Sequence, residues 1–89
     1  MKMSFIYFLR SKSDGRIYIG STSNLEQRLR HHFGKSTPST KRFGEIELVF
    51  KQEYQTLKDA RSIEKKLKKL KRKDYIEKII SDGFIKLKP

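Results

Sequence analysis

No cysteine occurs among the 89 residues of this chain. That excludes disulfide staples, thiol nucleophiles and cysteine-bound zinc, and it makes the cytoplasm the expected location. No apolar run approaches the roughly 18 residues that a membrane-spanning helix needs. Met1-Lys2-Met3 leads straight into a strand-like segment, so no secretory leader is expected. No internal repeat is present. Acidic residues are also few, ten Asp and Glu against 22 Lys and Arg, for a formal charge of +12. Such an excess loads a compact chain with self-repulsion and calls for a polyanionic partner. One domain, residues 1–89, is expected, with a small core, because a chain of this size buries only about 60% of its unfolded surface.

What is present reads as strand, strand, helix, strand, helix, helix. Residues 4–10 are β-rich and apolar on both faces, as a central strand would be. Ser13-Asp14-Gly15 supplies turn chemistry, and Arg16 to Gly20 returns. If Tyr7 faces Tyr18, then Ile6 pairs with Ile19 and Phe8 with Ile17, leaving one face wholly apolar. The other face then gathers Phe5, Tyr7, Leu9, Arg16, Tyr18 and Gly20, and a slip of one residue would mix the two sets. Gly20 leaves room there for a ligand or another backbone.

Asn24, with Gln27 three residues on, predicts a helix N-terminus of capping-box type, with Leu25, Leu29 and Phe33 as its buried stripe. At about 100° per residue, Arg28 and His32 become neighbours beside the sheet, while His31 points away. Residues 34–44 read as a polar loop carrying Lys41-Arg42. Residues 46–54 alternate as a third, half-exposed strand. Thr56 caps a long helix with the stripe Leu57, Ala60, Ile63, Leu67 and Leu70. A shorter helix, Asp74 to about Ser81, stops at Gly83.

Five side chains carry chemistry along this frame: Tyr7, Tyr18, Arg28, His32 and Glu64. Each alone has an ordinary explanation. A strand tyrosine packs, Arg28 is solvated, His32 is half-buried, and Glu64 pairs with Lys68 one turn on. Together, two phenols, a guanidinium, an imidazole and a carboxylate form a kit for breaking a phosphodiester.

These residues carry a resemblance. Phe5-Ile6-Tyr7, Tyr18-Ile19-Gly20, the Arg28 and His32 spacing, and Glu64 on a later helix resemble the GIY-YIG nuclease domain from about Phe5 to Leu70. The pattern is closest to its small stand-alone bacterial members, which share Asp14-Gly15, Asn24-Leu25 and Ala60 four before Glu64. Phe5 stands where the first motif has its glycine, and the chain's single asparagine, Asn24, does not match the late asparagine of homing-type members. The resemblance implies an α+β fold, a small three-stranded antiparallel sheet flanked by helices in the order β-β-α-β-α-α. It further implies a divalent-metal-dependent endonuclease acting on DNA, with Mg²⁺ or Mn²⁺ at Glu64. Arg28 would clamp phosphate, Tyr7 by preference would take a proton from water, Tyr18 would orient water or phosphate, and His32 would relay a proton or bind phosphate.

The run from Lys65 to Lys73 holds seven cations in nine residues. Lys65, Lys68, Lys69 and Arg72 are expected on the outside of the long helix, with Leu67 and Leu70 facing inward. Lys41 and Arg42 would add a second strip of phosphate contacts. DNA is the expected partner, single-stranded, duplex or branched. RNA stays open, and neither a membrane nor an obligatory protein partner is implied. A module that binds nucleic acid without cutting it is the alternative.

Overall fold

A computed structural model describes residues 3–33, 46–70 and 72–88, with residues 31–33 described by backbone alone. The strands are β1 (Ser4–Ser11), β2 (Ile17–Thr22) and β3 (Ile46–Tyr54). The helices are α1 (Leu25–Phe33), α2 (Leu57–Leu70) and α3 (Lys73–Asp82). The sheet has the order β2-β1-β3 and both pairings are antiparallel. This is the α+β architecture and element order read from the sequence.

The β1–β2 hairpin departs from the expected register by two residues. Tyr7 sits opposite Gly20, Phe8 opposite Ile19 and Leu9 opposite Tyr18. The cause lies in the turn. A Tyr7–Tyr18 pairing would leave only Lys12 and Ser13 to close the hairpin, and such two-residue turns need positive φ values that suit neither. Instead Ser11 donates its N–H to the Arg16 carbonyl at 2.8 Å, and Gly15 takes the left-handed conformation at φ 76°. Asp14 fixes the loop by accepting from the Arg16 backbone N–H at 3.1 Å and from its Nε at 2.6 Å. These bonds hold the Asp14 carboxyl below the usual carboxylate range. A shift of two leaves each side chain on its expected face.

The apolar face carries the core. Ile6 and Phe8 of β1 and Phe50 of β3 meet Ala60, Ile63 and Leu67 of α2 and Ile76 and Ile79 of α3. The Phe8 and Phe50 rings lie 4.8 Å apart. Between Phe8 and Leu9 the β1–β3 register shifts, leaving Val49 as the extra residue of a β-bulge. Thr56 caps α2 by accepting from the Asp59 N–H at 3.1 Å. Arg10 and Glu77 form an ion pair that ties β1 to α3.

Two expectations about the basic run are corrected. Leu70, expected to face inward, is 43% exposed. Arg72 does not lie on α2, because its backbone is extended at φ −116° and ψ 108° just ahead of α3. The cations therefore occupy two helices and the corner between them, which relieves the i,i+4 repulsion a single helix would suffer. Gly83, at φ 85°, ends α3 by donating its N–H to the Ile79 carbonyl at 2.8 Å. The segment beyond folds back on β3. The Gln52 side chain accepts from the Ile85 N–H at 2.7 Å and donates to its carbonyl at 3.5 Å, and Ile85 is buried.

Candidate active site at the edge of the sheet

Tyr7 is anchored by its place on the central strand. Its ring lies across Gly20, so that a Cβ at residue 20 would collide with Cζ and Oη of Tyr7. The room left by Gly20 is thus filled by the chain's own phenol, and the Tyr7 hydroxyl comes to rest over the edge strand. Tyr18, one diagonal step along, has its ring centroid 6.3 Å from that of Tyr7. The two hydroxyls are hydrogen-bonded. Tyr7 is only 1% exposed, whereas Tyr18 is half-buried and open to water.

Helix α1 presents Arg28. The Asn24 carboxamide accepts from the Gln27 N–H at 3.1 Å, and the Arg28 N–H donates to the Asn24 carbonyl at 3.1 Å, as expected of this N-cap. Thr22 secures the cap from β2 through its hydroxyl, which accepts from the Asn24 N–H at 3.0 Å. Arg28 is exposed and lines a shallow pocket with Thr22, Ser23, Asn24 and Gln27.

Helix α2 presents Glu64 from the opposite side of the edge strand. Its carboxylate accepts from the Ser21 hydroxyl and, at 2.6 Å, from Lys68 Nζ. The side chain is 21% exposed, so one partner on each oxygen offsets most of its desolvation. Lys68 Nζ also lies 5.9 Å from the Tyr18 ring centroid, which links the carboxylate to the phenols. The electrostatics tie these groups into one site. Burial drives the Tyr7 hydroxyl far above the ordinary tyrosine range, Tyr18 and Glu64 push the same way, and Arg28 opposes them.

Tyr7, Tyr18, Arg28 and Glu64 thus gather around β2. His32 is on α1, but its side chain lies outside the described residues, as do Lys41 and Arg42. Lys65, Lys68 and Lys69 are exposed on α2, and Arg72 is exposed at the corner after it, where it pairs with Asp74 at 2.8 Å. Ser21 was not anticipated. Strand parity puts it on the apolar face beside Ile19, where a hydroxyl needs a partner from whatever packs against that face.

Among the described residues no three of His, Cys, Asp and Glu cluster to form a ready metal cage. One carboxylate beside a hydroxyl, open to water, still suits a hard ion that keeps most of its ligands as water and phosphate.

Comparison with known proteins identifies the family. The GIY-YIG catalytic domain family matches residues 3–78. A UPF0213 protein of Clostridium perfringens is 34% identical over 83 residues, covering 92% of this chain and 88% of that protein. A UPF0213 protein of Bacillus licheniformis is 33% identical, covering 90% and 87%. The UPF0213 protein YazA of Bacillus subtilis is 36% identical, covering 82% and 77%. No solved structure is a significant match. This chain belongs to the GIY-YIG family of nuclease catalytic domains.

Proposed function

We propose that this protein is a divalent-metal-dependent endonuclease that hydrolyses DNA phosphodiester bonds at the edge of β2. The observation that carries the reading is the convergence of Tyr7, Tyr18, Arg28 and Glu64 on one strand edge, with the two phenol rings 6.3 Å apart and Lys68 joining Glu64 to Tyr18.

Glu64 would hold Mg²⁺ or Mn²⁺ once Lys68 swings off its carboxylate, with Ser21 keeping the carboxylate oriented. The ion would supply Lewis-acid charge neutralisation and acidify bound water. Arg28 offers a planar fork to the non-bridging oxygens as charge develops there. Such a donor is worth on the order of 10²–10³ in rate. The two phenols divide their work by exposure. The sequence favoured Tyr7 as the acceptor of the water's proton, but a hydroxyl pushed upward by burial is badly placed for that. Tyr18, which water reaches, activates or orients the attacking water, and Tyr7 behind it fixes its position by hydrogen bonding. Lys65, Lys68, Lys69 and Arg72, with Lys41, Arg42 and His32, supply phosphate contacts without reading bases. No helix among the described residues is long and apolar enough to cross a membrane, and a cytoplasmic nuclease accords with that.

One observation favours a second reading, a module that binds DNA without cutting it: both oxygens of Glu64 are already engaged by the chain itself. Cleavage of labelled single-stranded and duplex DNA in Mg²⁺, Mn²⁺ or EDTA, by wild type and Glu64→Ala, separates the two. Metal-dependent cutting that disappears in the variant while binding persists establishes the nuclease. Binding without cutting on every substrate establishes the module.

A further inference from the structure

Beside the candidate active site, on the α2 side of the sheet, lies an open cleft of about 470 Å³. Its floor is apolar, formed by Ile17 and Ile19 of β2 and Ile76 of α3, with Leu67 behind them. Its rim is cationic, formed by Arg16, Lys68, Arg72 and Lys73. We propose that this cleft is a nucleotide subsite, in which one base of the substrate strand leaves its stack and lies on the isoleucines while its flanking phosphates rest on the rim. The proposal deepens the nuclease reading and rests on it.

Charge complementarity selects this occupant. An apolar floor ringed by cations fits a ligand with a flat, weakly hydrated body and an anion on each side, which is the chemistry of a nucleotide within a strand. The isoleucines offer no hydrogen-bond partner, so the floor accepts the face of any base without reading its edge.

Two of the rim cations carry carboxylate partners of their own. Asp14 holds Arg16 at 2.6 Å and Asp74 holds Arg72 at 2.8 Å. Both pairs are solvent-exposed, so each is worth little as an ion pair. A guanidinium has five donors, and Asp74 engages only one edge of Arg72, so a phosphate can be received on the other. The cleft is continuous with the site through Lys68, which lines it while bonding Glu64 and lying over Tyr18. A base seated on the isoleucines therefore belongs to a nucleotide close to the phosphate that is cut. Strands whose bases are free to leave the stack gain this contact, and a fully stacked duplex loses it.

The test is methyl NMR of the full chain labelled at isoleucine, in EDTA so that nothing is cleaved. The probes are a short oligothymidylate and an abasic oligomer with the same number of phosphates. Chemical-shift changes at the methyls of Ile17, Ile19 and Ile76 with oligothymidylate, absent with the abasic oligomer, are expected. The abasic oligomer should also bind at least about 5-fold more weakly, because it leaves the apolar floor exposed to water. Equal affinity for both oligomers, or isoleucine methyls that stay unmoved, overturns the proposal. DNA cleavage in Mg²⁺ by the same preparation keeps the two readings apart. Silent methyls with active cleavage remove the cleft and leave the nuclease. Shifted methyls with no cleavage of any substrate remove the nuclease and keep the cleft as a nucleic-acid site.

Discussion

Replacing Gly20 by alanine probes the contact on which the site is built. Gly20 sits on an edge strand and does not have a positive φ, so its backbone alone would tolerate alanine. At such a position Gly→Ala stabilises by roughly 0.4–1 kcal/mol, because the unfolded chain loses freedom. Here the added Cβ would overlap Cζ and Oη of Tyr7. Tyr7 is 1% exposed, so an overpacking cost of about 1–3 kcal/mol is expected instead. For a domain of this size, that lowers the melting temperature by roughly 4–24 °C.

The decisive comparison is a double-mutant cycle with Tyr7→Ala, read by urea denaturation followed by circular dichroism. Tyr7→Ala costs about 3–5 kcal/mol by itself, as loss of a large buried ring does. In that background Gly20→Ala should reverse sign and stabilise by the few tenths to about 1 kcal/mol that its backbone effect allows. If Gly20→Ala costs the same with and without the Tyr7 ring, the phenol does not lie on residue 20 and the geometry of the site is wrong.

Three further outcomes are expected. Above about pH 10 an unfolded Tyr7 loses its proton while the folded one keeps it, so stability present at lower pH falls as pH rises. The fall is at most about 1.4 kcal/mol per pH unit, and Tyr7→Phe should flatten it in urea midpoints measured across the alkaline range. Gly15→Ala forces a side chain into the left-handed region and should cost about 1–2 kcal/mol at unchanged m-value. Lys69→Ala should reduce the slope of log affinity against log salt for DNA by about 1 without changing sequence preference, as measured by fluorescence anisotropy.

The features legible in the sequence are those set by short-range pattern. Alternation in β1 and β2 assigned Tyr7, Tyr18 and Gly20 to one face and Ile6, Phe8, Ile17 and Ile19 to the other. Asn24 and Thr56 marked two of the three helix starts, and Gly83 marked a helix end. The pairing partner of Tyr7 was not legible, because register depends on how the Lys12–Gly15 loop closes and not on the strands alone. Ser21 escaped notice because its role exists only when α2 crosses β2. The break in the cationic run was hidden because Lys and Arg are good helix formers individually. Leu70 followed the stripe in spacing yet fell at the helix end, where the core no longer reaches.

Gln52 has a kinetic consequence. One amide side chain, on β3, holds the backbone of Ile85 by both its N–H and its carbonyl, across 33 residues of chain. Gln52 lies on a strand that pairs with β1, and the contact closes a long loop of chain, so the tail is expected to dock late. Interactions made that late are absent from the transition state, and their loss speeds unfolding while leaving the folding rate unchanged. The Gln52–Ile85 clasp therefore acts on the lifetime of the folded protein and not on the speed with which it forms.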